Sequence, residues 1–270
     1  MPVLLPKREG YFLKNIIKMF EKDSIEILKA DSSHSFPLHS HECFCLGVVD
    51  RGRVCFTIGK QERILTVGMC FLIPSNVGVM IEPVERYGYT TICFKNEIKE
   101  YLMGYDYDDY FPRLCTKTDG NCLELLSSLC DSYTAGDTRQ IFMDGILSLL
   151  KDFMKEKKIS GTTDDIVEKG KAYIRACVDE KFNLDELADY VHVSKYHFIR
   201  IFKERTGVTP NQYYIQAEIF AAKQALKENK KEVDVAANLN FTDQSYLCRV
   251  FKRQMGISMR DFKSNYQKAK

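Results

Sequence analysis

The sequence of 270 residues has no tryptophan, no run of 18 apolar residues and no cysteine pair with CxxC spacing. Without such an apolar run the chain has no candidate transmembrane helix, whereas the lack of tryptophan excludes no class of protein. The ten cysteines are scattered, mostly inside apolar segments, and we interpret them as reduced core residues. With 45% hydrophobic and 28% charged residues, the composition is that of a globular protein and excludes disordered and fibrous classes.

The amino-terminal segment lacks the order of charge and apolar residues that a signal peptide has. Its first charges, Lys7, Arg8 and Glu9, follow a short apolar stretch instead of preceding one. We therefore expect a cytoplasmic protein. Its length fits two compact domains, each able to fold without disulfides or a structural metal.

Net charge is low, at +2, but it is unevenly distributed. Residues 190–270 contain 15 Lys and Arg against 7 Asp and Glu, whereas residues 1–189 contain 24 against 30. The last 81 residues thus carry a net charge of +8. This asymmetry indicates an anionic partner for the carboxyl-terminal part.

Short apolar runs separated by turn residues fill the segment from 43 to 95. They predict strands at roughly ten-residue spacing, a pattern typical of an all-β sandwich or barrel. The predicted strands are Cys43–Val49, Val54–Ile58, Met69–Ile73, Val77–Ile81 and Tyr89–Phe94. Cys43 and Cys45 share one face of the first strand, so a thiol sensor or a soft-metal site is an alternative for them.

After residue 96 the apolar period changes to three or four residues, which predicts two amphipathic helices between 121 and 157. These helices either pack on the β domain or form a dimer interface, and the sequence leaves both alternatives open. The polar segment at 155–163 has no apolar periodicity and is interpreted as the domain boundary.

The remaining chain is predicted to be helical and contains an internal repeat. Residues 194–203 align with residues 243–252 at an offset of 49, and each copy is followed by a Gly-Val-Thr or Gly-Ile-Ser triplet. Two copies of one supersecondary unit follow from this repeat.

Each copy has the pattern of a helix, a tight turn and a second helix. Ser194 in the first copy and Asp243 or Thr242 in the second are candidate N-caps, while His192 and Asn240 tolerate the positive φ of such turns. Arg, Gln, Ser and Tyr side chains on the outward faces can bind base edges in a major groove, and Lys can bind phosphates. The candidate DNA-binding residues are Lys195, Tyr196, Ile199, Arg200, Lys203, Gln244, Ser245, Arg249 and Lys252.

Across residues 165–265 the chain closely resembles the AraC/XylS family of bacterial transcription regulators, most specifically in the segment 240–256. The resemblance implies two helix-turn-helix units joined by a long helix near Pro210–Asn229. It further implies base contacts from Tyr196, Ile199 and Arg200 in one unit, and from Gln244, Ser245 and Arg249 in the other. Regulators of this kind act on double-stranded DNA together with RNA polymerase. Departures from the family pattern include Asn240 in place of a turn glycine and Glu218 in place of a linker-helix arginine.

The amino-terminal part is similar to the cupin-like effector-binding domain of that family, through the segments 36–42 and 68–74. His39 and His41 are the sharpest candidates there, because histidines two residues apart on a strand point to one side. A metal cupin would also need a Glu a few residues further on and a third His where Val79 stands. We therefore expect no metal and no cofactor, and assign His39 and His41 to an organic effector.

Together these patterns predict an α+β protein with a cupin-like β-barrel at 1–100, a helical dimerisation segment at 101–160 and an all-α domain with two helix-turn-helix motifs at 164–270. The predicted function is a ligand-responsive, DNA-binding transcription regulator, a homodimer without enzymatic activity or membrane association. One alternative is control by thiol oxidation or a protein partner, and another is a metal cupin enzyme fused to a DNA-binding domain.

Overall fold

The computed structural model of the chain describes residues 15–58, 61–73, 75, 77–94, 121–151, 165–239 and 241–268. Its strands are β1 (Ile16–Lys22), β2 (Ile25–Ser32), β3 (Phe36–His39), β4 (Phe44–Arg51), β5 (Arg53–Ile58), β6 (Gln61–Thr66), β7 (Cys70–Ile73), β8 (Val79–Pro83), β9 (Tyr87–Phe94) and β10 (Tyr266–Lys268). Its helices are α1 (Asn121–Ala135), α2 (Arg139–Lys151), α3 (Asp165–Ala176), α4 (Leu184–Tyr190), α5 (Lys195–Thr206), α6 (Pro210–Lys227), α7 (Glu232–Asn238), α8 (Gln244–Met255) and α9 (Met259–Asn265).

The strands form two sheets whose inner faces share one hydrophobic core. One sheet has the order β10-β1-β2-β9-β4-β7 and the other β3-β8-β5-β6. Ile17 and Phe71 from the first sheet and Val54 and Phe56 from the second belong to the same buried cluster. A β-rich amino-terminal half and a helical carboxyl-terminal half are confirmed. Backbone pairing of the described strands does not close them into a single barrel.

All five predicted strands exist, with ends shifted by at most two residues. Strands β1, β2, β3 and β6 were not predicted. In β1 the charged Lys18, Glu21 and Lys22 interrupt the apolar alternation, although Ile17 and Met19 are buried. A strand with one polar face contains too few apolar residues to be distinguished by pattern alone.

Helices α1 and α2 cover the outer face of the six-stranded sheet. Leu126 and Tyr133 of α1 and Phe142 and Ile146 of α2 are buried in one cluster with Leu46 and other sheet residues. Of the two alternatives left open for this helical pair, packing on the β domain is therefore observed. None of the described helices combines the length and apolarity that crossing a bilayer requires.

In the carboxyl-terminal half, the second helix of each pair, α5 after α4 and α8 after α7, begins at an N-cap that the sequence predicts. The Ser194 side chain accepts a hydrogen bond from the His197 amide, and the Asp243 side chain accepts one from the Tyr246 amide. His192, in the turn before α5, has φ +57°, which confirms the positive φ expected there. Asn240, its counterpart, lies outside the described residues.

Helix α6 joins the two helix pairs and starts at a capping box, in which Thr209 and Gln212 bind each other's backbone amides. The prediction that the chain stays helical to its end is wrong. Residues 266–268 form β10, which pairs in parallel with β1 through Met19 and Tyr266. The carboxyl-terminal segment thereby extends the amino-terminal sheet, a long-range pairing that local periodicity does not record.

Candidate functional site

Helices α5 and α8 present their predicted polar residues on faces that are open to solvent. Phe198 and Phe202 of α5, and Leu247 and Phe251 of α8, are fully buried and fix which face of each helix points outward. Tyr196 is 84% exposed, which leaves its ring free for a partner. All nine candidate side chains are exposed or partly exposed: Lys195, Tyr196, Ile199, Arg200, Lys203, Gln244, Ser245, Arg249 and Lys252.

Several of these side chains have weak partners within the protein. Lys195 Nζ lies 2.8 Å from Asp185 Oδ2, and Arg200 Nη1 lies 3.7 Å from Glu204 Oε1. The Arg249 guanidinium lies 5.8 Å from the centre of the Tyr246 ring. Exposed ion pairs contribute at most about 1 kcal/mol. DNA phosphates and bases can therefore replace these partners at little cost.

A cavity of about 390 Å³ lies where the two halves of the chain meet. Its walls are mostly apolar. The sheets contribute Phe36, Phe56 and Tyr89, helix α6 contributes Ile219, and α8 contributes Met255. A ligand that fills this cavity contacts both the β-rich half and the helices that follow it.

His39 and His41 line this cavity and contact each other, and only His39 belongs to a strand. Their Nε2 atoms are 3.1 Å apart, and His39 Nδ1 lies 2.7 Å from the Pro37 carbonyl oxygen. Burial lowers the pKa of both rings, that of His39 to about 3, and the neighbouring His41 adds to this shift. Both imidazoles are therefore neutral at pH 7.

Neutrality fixes the direction of these hydrogen bonds. Because a carbonyl only accepts, His39 Nδ1–H donates to Pro37 and its Nε2 carries the lone pair. The contact with His41 is then a hydrogen bond that His41 Nε2–H donates to His39. His41 Nδ1 consequently carries a lone pair, which is available to a ligand.

Three thiols meet beside the histidine pair. In the six-stranded sheet Glu26 of β2 lies opposite Cys93 of β9, which lies opposite Cys45 of β4. The Cys45 sulfur is 3.5 Å from that of Cys93 and 3.6 Å from that of Cys43. Hydrogen bonds from Cys45 and Cys93 hold the pKa of the Cys43 thiol well below its ordinary value, against the effect of burial. Donating these bonds raises the pKa of Cys45 and of Cys93.

Two lysines of α6 bind carboxylates of the sheet next to these thiols. Lys223 Nζ lies 2.6 Å from Glu26 Oε2, and Lys227 Nζ contacts both Glu26 and Glu21. All four side chains are at most 15% exposed. Burial alone would raise the pKa of Glu26, but the two ammonium groups outweigh it and lower that pKa to about 2.

Further contacts hold the two halves together. Arg175 Nε of α3 lies 2.7 Å from Glu42 Oε1, and the Tyr213 hydroxyl donates to the same oxygen at 3.0 Å. Gly78 approaches Gly207 so closely that a Cβ at residue 78 would lie 2.9 Å from the backbone of residue 207. The docked arrangement therefore depends on buried charge and on close backbone contact.

Sequence reasoning missed Glu26, Cys93, Lys223 and Lys227. One signal was present, because Glu26 is a single charge within the apolar run Ile25–Leu28. The alternation of side chains along its strand places Cys93 on the inward face. Only the strand register, however, brings it opposite Cys45. The lysines occupy a helix whose partner in the tertiary structure no local pattern identifies.

Two family matches cover most of the chain. Residues 24–150 match the family described as AraC-like ligand binding domain, and residues 187–265 match the family described as helix-turn-helix domain. The first contains strands β2 to β9 with α1 and nearly all of α2, and the second contains α5 and α8.

Individual proteins agree with these matches. The chain is 23% identical to the HTH-type transcriptional regulator YbfI of Bacillus subtilis, over 78% of this chain and 81% of YbfI. It is 21% identical to the HTH-type transcriptional activator RhaS of Escherichia fergusonii, over 85% of this chain and 88% of RhaS.

Solved structures of ToxT from Vibrio cholerae have a similar fold. An apo ToxT variant aligns with a TM-score of 0.62 at 15% identity, covering 90% of this chain and 98% of ToxT. ToxT with a bound unsaturated fatty acid aligns with a TM-score of 0.57 at 16% identity, covering 95% of this chain and 96% of ToxT.

A ligand-binding domain followed by a helix-turn-helix domain defines a DNA-binding transcriptional regulator. With regulators as relatives along most of its length, the chain belongs to the AraC family of transcriptional regulators.

Proposed function

We propose that this regulator reads a specific DNA sequence with two helix-turn-helix units and that a small organic effector in the interdomain cavity controls it. The observation that carries the proposal is the pair of helices α5 and α8, each with one buried aromatic face and one exposed polar face. In this assignment α5 and α8 are the recognition helices, and they enter successive major grooves.

Base contacts are assigned to Tyr196, Ile199 and Arg200 on α5 and to Gln244, Ser245 and Arg249 on α8. Arginine binds guanine and glutamine binds adenine through paired hydrogen bonds. Lys195, Lys203 and Lys252 flank these side chains and are assigned to phosphates, which supply affinity without sequence information.

The proposed domains are a cupin-like effector domain at 1–100, a helical segment at 101–160 and the DNA-binding domain at 164–270. The family matches at 24–150 and 187–265 support this division. The polar boundary at 155–163 lies outside the described residues.

The effector is proposed to be organic because the cavity walls are largely apolar and the volume suits a small molecule. ToxT, which shares the fold, binds an unsaturated fatty acid. An apolar body would contact the aromatic walls, while His41 and Lys223 would bind a polar group at one end. His39 has both ring nitrogens engaged and positions His41.

A ligand in this cavity also contacts α6 and α8, and so biases how the DNA-binding helices dock. We propose that this bias activates transcription through RNA polymerase in the cytoplasm, without any enzymatic step. RhaS, a relative along most of the chain, is an activator. Control by thiol oxidation or by a protein partner is the second candidate, and the cysteine cluster in the cavity wall favours its thiol form.

A thermal-shift screen of fatty acids, sugars, amino acids and oxidants on the full chain tests the effector assignment. We expect an organic compound to raise the melting temperature and to change affinity for promoter DNA. His41→Ala should abolish this response. Arg63→Ala is the control, because Arg63 is exposed on β6 in the same half and does not line the cavity. Loss of the response in both variants, or no response to any organic compound, would contradict the assignment.

The protein is further proposed to be a homodimer through the outward faces of α1 and α2. Leu125 is 45% exposed and Ile141 is 57% exposed, although their helices pack on the sheet. Symmetric pairing would present four helix-turn-helix units to repeated DNA sites.

Sedimentation at micromolar concentration should give a dimer for the full chain and a monomer for Leu125→Glu with Ile141→Glu. Val67→Glu, at a comparably exposed apolar residue on the β6–β7 turn, should remain dimeric. A monomeric parent protein would show that no such dimer forms. A dimer that survives in the variant with both Leu125→Glu and Ile141→Glu would show that the interface lies elsewhere.

A further inference from the structure

A cluster of donor atoms in the cavity wall is larger than effector binding requires. Cys43, Cys45, Cys93 and His41 all line the cavity. The ligand atoms of His41, Cys43 and Cys45 lie within 4.8 Å of one another, and the Cys93 sulfur lies beside this group of three, 3.5 Å from the Cys45 sulfur. Thiolate sulfur and imidazole nitrogen are the donors that soft metal ions prefer.

We propose that His41, Cys43, Cys45 and Cys93 bind a single soft d¹⁰ metal ion, Zn²⁺ or Cu⁺. The amino-terminal domain, expected from the sequence to be free of metal, would then hold an inorganic ligand at one end of the effector cavity. This metal site goes beyond the regulator function, because metal uptake requires neither DNA nor an organic effector. An ion occupies a small part of 390 Å³ and leaves room for an organic effector, but it takes the one free lone pair of His41, so in the metal-bound protein Lys223 alone would bind the effector's polar group.

Spacing of the sulfurs suits such an ion. Ligands at about 2.3 Å from a tetrahedral zinc are separated by about 3.8 Å from each other. The two measured sulfur separations, 3.6 Å for Cys43 with Cys45 and 3.5 Å for Cys45 with Cys93, differ from this value by only a few tenths of an ångström. Cys45 and Cys93 belong to paired strands, so a rigid sheet holds two of the donors in place before the ion arrives.

The histidine pair provides the second argument. A metal-binding imidazole usually donates its other N–H to an acceptor that fixes its orientation. His41 donates Nε2–H to His39, whose own Nδ1–H is directed at the Pro37 carbonyl, and the lone pair of His41 remains on Nδ1. This chain of hydrogen bonds sets the tautomer that a metal ligand needs.

Lys223 faces the charge that this site acquires on metal binding, although its ammonium is already paired with Glu26. Binding of Zn²⁺ forms three metal–sulfur bonds and one metal–nitrogen bond, and the three thiols release their protons to solvent. Three thiolates and one Zn²⁺ leave a net charge of −1. Lys223 lines the same cavity as these thiols, and its ammonium lies 2.6 Å from Glu26 Oε2.

Because Lys223 belongs to α6, the charge at the metal site acts on the helix that carries both recognition units. Loading the site should therefore change the affinity for promoter DNA. This consequence rests on the proposed function, whereas the metal site itself does not.

The test is metal titration of reduced, chelator-treated full-length protein. Co²⁺, as a spectroscopic substitute for Zn²⁺, should bind with a stoichiometry of one and give the intense thiolate-to-cobalt absorption. Competition with a chromophoric chelator then yields the Zn²⁺ affinity. Cys43→Ser and Cys93→Ser should each weaken it about 100-fold or more, and His39→Leu about 10- to 100-fold. Cys55→Ser, half-buried in the same domain but outside the cavity, should bind as the parent does.

Titration with Cu⁺ separates the two ions. If Cu⁺ is the natural ligand, the three sulfurs suffice and His41→Asn leaves its affinity within a few-fold, whereas the same variant loses Zn²⁺. The proposal is overturned if the reduced protein takes up no Co²⁺ or Cu⁺, or if uptake is unchanged in Cys93→Ser. A Cys45–Cys93 disulfide formed by peroxide in a protein that binds no metal would assign the cluster to thiol oxidation instead.

Discussion

Lys227→Met is expected to loosen the docking of the two halves and to lower the free energy of unfolding by about 3–5 kcal/mol, as for other buried ion pairs that lose one partner. The Lys227 ammonium is 7% exposed and binds Glu21 and Glu26, which would be left with one fewer cation between them. It also lies 5.0 Å from the centre of the Tyr266 ring on β10, so the pairing of β10 with β1 should weaken too. Denaturant unfolding and small-angle scattering measure the two effects.

Lys230→Met is the matched control for this change. Lys230 pairs with Glu228 at 2.9 Å, but both side chains are at least half exposed, so the expected loss is below about 1 kcal/mol. Equal losses in the two variants would mean that the buried cluster adds nothing to docking.

The same cluster predicts a response to acid. The pKa of Glu26 is lowered from 4.5 to about 2 in the folded protein, because Lys223 and Lys227 favour its charged form despite burial. Its contribution to stability is therefore complete above pH 4.5 and is lost as the pH falls from there towards 2. In Glu26→Gln this part of the acid dependence should disappear, and an unchanged profile would assign acid unfolding to other carboxylates.

Arg200→Ala and Arg249→Ala should each cost about 1–3 kcal/mol of binding free energy on the specific DNA site. Both guanidinium groups are exposed on recognition-type helices and are held by weak partners only. Binding to DNA of unrelated sequence should barely change, because that affinity depends on phosphate contacts. Fluorescence anisotropy with matched specific and random duplexes measures both quantities.

Lys203→Ala serves as the phosphate control for this pair. This substitution should weaken binding to the specific duplex and to the random duplex equally. It should also reduce the slope of log affinity against log salt concentration by about 1. If the arginine variants behave in the same way as Lys203→Ala, then Arg200 and Arg249 contact phosphates and the assignment to bases is wrong.

Sequence alone was sufficient for the parts of the molecule that local chemistry specifies. The repeat at an offset of 49 identified two equivalent segments, the caps Ser194 and Asp243 located the starts of α5 and α8, and His192 located the turn before α5. Side-chain caps and positive φ are decided by neighbouring residues along the chain. The outward position of Arg200 and Arg249 followed from the same periodicity.

The tertiary structure decided what depends on pairing between distant segments. Strand register brings Cys93 to Cys45, the docking of α6 brings Lys223 to Glu26, and β10 joins β1. Each of these contacts joins residues that are tens to hundreds of positions apart, and each is held by burial in a shared core. Local periodicity shows which face of a strand or helix is buried, but it carries no information on which other face will cover it. For that reason the sequence identified His39 and His41, whereas only the folded chain assembled the cavity and the thiol cluster around them.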